Sequence, residues 1–230
     1  MKKNIVINQF MGLGDILFII PICDYFYNLG HNIIFPINEE FLNIQKNFKH
    51  IQFVNKNNYH IDYESNEIVE YEDYTILPLR FSNNILNNGN PETCMSDKYQ
   101  FLNLPLDIWK NLKWERDFEK ENELYYDVLG LKDGEEYNLI NTSFSMDKNI
   151  NLNLNNGLKN INMKILKDFN LLDWYKVITN ASSIHTVGTS IIFIIEVMKT
   201  TNDLNLYRRE GEKDFSFYLY LLEKKYNLKY

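Results

Sequence analysis

The sequence predicts an α/β protein with two successive alternations of strands and helices, each folding into a parallel sheet covered by helices. Two stretches carry this reading. Lys3-Asn4-Ile5-Val6-Ile7-Asn8-Gln9 is an apolar run that passes through Phe10-Met11-Gly12-Leu13-Gly14-Asp15 into Ile16-Leu17-Phe18-Ile19-Ile20-Pro21. Gly30-His31 then opens a second apolar run at 32–36, completing the start of a βαβ unit. Later, the strand-like 183–187 leads through Gly188-Thr189-Ser190 into another apolar helix. With 230 residues, 45% of them hydrophobic, the chain has material for one large domain or two small ones with separate cores. We place the two domains at 1–115 and 116–230.

In the first half, strands are expected at 4–8, 32–36, 51–54 and 74–79. Apolar residues at 16, 19, 20, 23, 26 and 27 follow helical spacing. Pro21 falls inside that pattern, so the helix either starts near it or kinks there. A shorter helix is expected at 41–48. Residues 81–103 break the rhythm: Ser82-Asn83-Asn84 and Asn87-Asn88-Gly89-Asn90-Pro91 are loop chemistry, and an irregular excursion is expected before a helix near 106–112. The charged run 115–123 reads as a solvated helix face, leading into a helix at 122–129 that Gly130 stops.

The second half offers a strand at 137–141, then an Asn-rich stretch, 151–165, that admits a hairpin around Asn155-Asn156-Gly157. A helix at 171–180, a strand at 183–187, a helix at 190–199 and a short strand at 205–207 follow. A closing amphipathic helix is expected at 215–226.

Bulk properties narrow the function. The net charge is −7 and no basic stripe appears, which argues against a nucleic-acid groove. Cys23 and Cys94 are far apart without a CxxC context, so they read as two thiols in a reducing compartment. No signal-peptide pattern follows Lys2-Lys3, and the longest apolar runs, 16–20 and 191–195, are too short to span a bilayer. Abundant Asn, Lys and Ile with scarce Ala point to an AT-rich genome, bacterial or viral. A cytoplasmic location is expected, in the host cell if the source is a virus.

Asp15 lies at the carboxyl end of the first strand, where open α/β sheets place their ligands. Gly12 and Gly14 are expected to let the backbone turn tightly and approach a ligand. In the second half, Gly188, Thr189 and Ser190 stand at a strand-to-helix turn, where unpaired N–H groups and hydroxyls suit a phosphate; Thr189 or Ser190 equally suits a simple helix cap. No GxxxxGK[ST] occurs, so this is not a P-loop. Arg80 after the strand at 74–79, and Arg208 and Arg209 after the last short strand, are candidate phosphate ligands, each readable also as surface charge. Ser143, just past the strand at 137–141, is a further donor-side candidate. His185 reads as either a satisfied strand histidine or a ligand contact. Glu196, within an apolar helix, reads as either a ribose ligand or a solvent-facing acid. The cluster Glu70-Tyr71-Glu72-Asp73 reads as a solvated edge.

Together, Gly12-Leu13-Gly14-Asp15-Ile16-Leu17-Phe18 with Pro21, and Ala181-Ser182-Ser183-Ile184-His185-Thr186-Val187-Gly188-Thr189-Ser190, resemble the GT-B glycosyltransferases related to the bacterial lipopolysaccharide heptosyltransferases. The resemblance covers the first forty residues and roughly 170–200. It implies two Rossmann-like domains with parallel sheets facing a cleft, Asp15 as catalytic base, and the donor diphosphate at Gly188, Thr189 and Ser190. It also implies a C-terminal helix that crosses back to the first domain. The chain departs from the family in being shorter, and in having Thr-Ser-Ile-Ile-Phe where the family often has Ser-Gly-x-x-His. GT-B enzymes need no metal, and the chain has no Asp-x-Asp triplet of the metal-dependent kind.

The expected activity is therefore metal-independent transfer of a sugar from a nucleotide diphosphate sugar to a glycan acceptor hydroxyl, with no cofactor beyond the donor. The alternative is a non-catalytic nucleotide- or glycan-binding protein with a degenerate GT-B fold. A single-domain Rossmann oxidoreductase fits less well, because Leu17 stands where GxGxxG needs its third glycine and only Asn38-Glu39-Glu40 offers an acid near the second strand.

Overall fold

The computed structural model describes residues 2–9, 12–79, 94–144, 148–150, 152, 154–209 and 219–229. The chain divides into two compact units, Met1–Glu115 and Arg116–Tyr230.

In the first unit, strands β1 (Asn4–Asn8), β2 (Asn32–Ile37), β3 (Ile51–Asn55), β4 (Val69–Glu70) and β5 (Tyr74–Pro78) form one sheet in the order β3-β2-β1-β5-β4. The strands β3, β2, β1 and β5 are mutually parallel, and β4 closes the edge antiparallel to β5. Central β1 is apolar throughout its middle because both faces are covered: Val6 and Ile7 are fully buried. Helix α1 (Leu13–Asn28) links β1 to β2 and buries every residue from Ile16 to Cys23. It has no broad polar face because helix α2 (Cys94–Phe101) and a 3₁₀ turn at Leu106–Asn111 cover it. Phe18 meets Tyr99 edge-on at 5.2 Å and lies 5.6 Å from Trp109, and the Tyr99 hydroxyl donates to the Phe18 carbonyl at 2.6 Å.

The second unit carries β6 (Tyr137–Asn141), a small antiparallel ribbon of β7 (Ser143–Phe144) and β8 (Lys148–Asn149), then β9 (Lys159–Asn162), β10 (Ser183–Val187), β11 (Asp203–Tyr207) and β12 (Asn227–Lys229). Its main sheet, β12-β11-β10-β6-β9, is parallel throughout. The helices are short: α3 (Phe118–Asn122), which runs on into a π-helical turn at Glu123–Val128, α4 (Tyr175–Asn180) and α5 (Ile191–Val197). A capping box between Asn170 and Asp173 starts the turn that leads into α4. Arg116 pairs with Glu121 through two hydrogen bonds, one of 2.8 Å, and its guanidinium lies 3.7 Å from the Tyr175 ring centroid.

The structure departs from the sequence expectations at several places. Helix α1 begins at Leu13 rather than near Pro21 and continues past it, the lost N–H being outweighed by apolar burial on either side. Gly12, its N-cap, sits at φ −68°, ψ 162°, a conformation open to any residue, and a Cβ there would meet nothing within 4 Å. Neither a strained turn nor a close approach among the described residues therefore requires glycine at this position. Part of the expected irregular stretch 81–103 is helix α2. The expected helices at 41–48 and 106–112 are 3₁₀. The expected hairpin at 151–165 is replaced by β9 pairing parallel to β6, with Gly157 at φ +80° in the bend before it. Of the closing helix expected at 215–226, residues 215–218 lie outside the described residues. Residues 220–226 are not helical, and the chain returns as edge strand β12 beside β11.

Candidate active site

The first unit builds its candidate site at the C-terminal edge of the sheet. The Asn8 carbonyl, at the end of β1, accepts from the Leu79 N–H at 3.0 Å. The buried Asn8 carboxamide donates to the carbonyls of Asp62 and Tyr63, both at 3.3 Å. Asp15 stands in the first turn of α1, three residues past the N-cap, where a carboxylate is favoured by the helix dipole. It is therefore not the cap itself. Its side chain is 29% exposed, and its Oδ1 lies 3.5 Å from the ammonium of Lys98, whose side chain is only 1% exposed. The same ammonium donates to the Leu79 carbonyl at 2.8 Å. Cys94, one helical turn before Lys98, has its thiol pushed up to about 12, chiefly by burial, so it is a neutral neighbour of this pair. Gly14 lies within α1, and Arg80 lies outside the described residues.

The same unit contains a cavity of about 690 Å³ lined by Tyr59, His60, Asp62, Tyr63, Tyr71 and Tyr74 among others. Burial pushes the Tyr63 hydroxyl up to about 12, and it stays a neutral donor to the Tyr59 and Lys56 carbonyls.

In the second unit, parallel pairing brings Ser143, Gly188, Thr189, Ser190, Arg208 and Arg209 to one edge, because each follows the C-terminal end of β6, β10 or β11. Gly188 is buried; Thr189 and Ser190 are half-buried. Asn141, which the sequence reading passed over, organises this edge. Its carboxamide donates to the hydroxyls of Thr186 (3.0 Å) and Thr189 (2.8 Å), tying the end of β6 to the loop before α5. In the sequence Asn141 is only the last residue of the expected strand 137–141, and the β6–β10 pairing is what shows its partners. Ser190 is the N-cap of α5 but makes no side-chain cap bond.

His185 sits below that edge in a closed polar network. The Ser183 hydroxyl donates to Asn138 Oδ1 at 2.7 Å, so it accepts from His185 Nε2 at 2.9 Å, and His185 Nδ1 accepts a hydrogen bond from the Tyr207 hydroxyl at 3.0 Å. This needs the neutral imidazole, and burial lowers its pKa below 6.5. The folded state thus binds a proton less readily than the unfolded chain. The stabilisation is present above pH 6.5 and is lost as pH falls through the lowered folded value. The expected result is a thermal midpoint that drops between pH 7 and pH 5, with a shallower drop in His185→Gln, measured by circular dichroism across buffers.

Glu196 lies near the far end of α5. Its Oε2 accepts the N–H groups of Glu223 (2.9 Å) and Lys224 (3.3 Å), while burial, and after it the Glu196 carboxylate, hold the Tyr226 hydroxyl well above its usual range. It clasps the segment before β12. Among the described residues, no group of three or more His, Cys, Asp or Glu side chains is arranged to hold a metal ion.

Two predominantly parallel α/β sheets, each presenting polar groups at its C-terminal edge, define a Rossmann-like α/β protein. The architecture is similar to a family 9 glycosyl transferase from Veillonella parvula, with a TM-score of 0.51, 10% identity, and coverage of 94% of this chain and 84% of that one. It is also similar to TibC, described as a bacterial iron-containing dodecameric glycosyltransferase from enterotoxigenic E. coli, with a TM-score of 0.50 and 11% identity. That match covers 90% of this chain and 58% of TibC. No protein-family model and no curated protein matches the sequence. The likeness is one of fold. No helix of the described residues is long and apolar enough to cross a membrane.

Proposed function

We propose that this protein is a glycosyltransferase of GT-B type that moves a sugar from a nucleotide diphosphate sugar to a hydroxyl of a glycan acceptor. The observation that carries the reading is Asp15: a part-exposed carboxylate in the first turn of α1, at the C-terminal edge of a parallel sheet. In the reaction, the acceptor oxygen forms a bond to the anomeric carbon while the bond from that carbon to the diphosphate breaks. Asp15 takes the hydroxyl proton, and the diphosphate leaves with the bonding electron pair. In this reading the first unit serves the acceptor and the second the donor, with Gly188, Thr189 and Ser190 against the diphosphate and Arg208 and Arg209 adding positive charge. The reaction uses no metal and takes place in the cytoplasm, in keeping with two free, buried cysteines.

The test is a screen of UDP-, GDP- and ADP-linked sugars, read by nucleotide release with and without chelator. One donor is expected to be hydrolysed slowly in the absence of acceptor, at a rate unchanged by EDTA. Binding of a nucleotide without turnover of any sugar nucleotide, in the presence of a glycan acceptor panel, would replace the enzyme with a binding protein. Strict magnesium dependence would overturn the site as drawn.

A further inference from the structure

We infer that Lys98 is the positioning residue for Asp15, a role that rests on the reading of Asp15 as the base. Lys98 is 1% exposed, so its ammonium is cut off from water and from any direct approach by substrate. A buried ammonium is retained only where partners compensate its lost hydration. Here those partners are the Leu79 carbonyl at 2.8 Å and Asp15 Oδ1 at 3.5 Å. Both belong to the catalytic edge: Leu79 follows β5 and is hydrogen-bonded to the end of β1, and Asp15 opens α1. Lys98 therefore links three segments, and the link is rigid at its origin. Its neighbour Tyr99 is fully buried, packs edge-on against Phe18 and donates to the Phe18 carbonyl. That bond locks α2 onto α1 one turn beyond Asp15.

The consequence is a division of labour within one carboxylate. The Oδ1 atom is directed at the buried ammonium, and the carboxylate's exposed portion faces outward to take the acceptor proton. The ammonium touches no reacting atom. It restricts the rotation of Asp15 about its side-chain bonds, so that the base is already aligned when the acceptor arrives. Cys94 is a neutral thiol, and among the described residues Asp15 makes no other ion pair. This also accounts for a lysine at a wholly buried position of a short helix, where an apolar residue would pack more cheaply.

The experiment is a double-mutant cycle on the whole chain with Lys98→Met, Asp15→Asn and the pair, read by thermal unfolding and by hydrolysis or transfer kinetics with the donor found in the screen. Methionine keeps the length and apolar stem of lysine. Lys98→Met is expected to lower kcat roughly 10–100-fold while leaving the donor KM within about twofold. Adding Lys98→Met to Asp15→Asn is expected to cost no further activity. Asp15→Asn alone strands the buried ammonium and is expected to lower Tm by roughly 5–10 °C, which the second substitution recovers. If Lys98→Met lowers activity equally in both backgrounds, or raises KM in step with a lost Tm, Lys98 is a packing residue and the inference fails. If Asp15→Asn transfers sugar normally while the Tm coupling persists, the pair is real but the base assignment is wrong. In that case the proposed function loses its central residue, while the ion pair stands.

Discussion

Asp15→Asn is expected to reduce sugar transfer by about 10²–10⁴-fold, the usual contribution of a positioned general base, with donor affinity unchanged. The substitution removes the proton acceptor while keeping shape. Asparagine cannot be rescued here by a capping role, because Gly12 and not Asp15 is the N-cap of α1. The variant has a second effect that local sequence reasoning does not reveal. Its neutral side chain leaves Lys98 buried with, among the described residues, the Leu79 carbonyl alone, so stability falls together with activity. The comparison that isolates chemistry is therefore Asp15→Asn combined with Lys98→Met, in which stability returns and the rate does not. Kinetics at saturating donor, beside nucleotide affinity by calorimetry, decide the matter. Near-normal transfer in that double variant would remove Asp15 as the base.

Arg116→Ala is expected to destabilise the second unit by about 3–5 kcal/mol. Glu121 is 1% exposed, and its carboxylate is held by both Nε and a terminal nitrogen of Arg116, a bidentate fork that lysine does not reproduce. The guanidinium also lies over the rings of Tyr175 and Phe118, at 3.7 and 4.5 Å from their centroids, joining α3 to the start of α4. Removing it strands an acid in the interior and undoes both stacks. Arg116→Met with Glu121→Leu is expected to recover most of the loss, because two apolar side chains of similar volume carry no desolvation cost. Denaturant unfolding of the three proteins measures this. A loss below about 1 kcal/mol for Arg116→Ala would mean that water reaches Glu121 and screens it.

What the sequence determined by itself is the set of local features. The α/β class, strands β1, β2, β3, β6 and β10, and the placing of Asp15 just after β1 and of Gly188 to Ser190 between β10 and α5 were all legible. Each depends on residues within a few positions of one another: an apolar run, a turn, a helical period. The polar neighbours of His185 were not legible, because Ser183, Asn138 and Tyr207 come together only through parallel pairing of β6, β10 and β11. Glu196 had two readings in the sequence, and the segment that folds back onto it decided its role as a clasp. Asn141 and Lys98 were invisible for the same reason. Asn141 meets Thr189 only through the β6–β10 pairing. Lys98 sits in Cys94–Phe101, a stretch with no strong apolar period, and becomes a partner of Asp15 only when Tyr99 docks α2 on α1. Burial decides what a charge does, and burial is a property of the packed chain: a lysine inside what the sequence offers as an irregular stretch is, in the fold, the counter-charge of the candidate base.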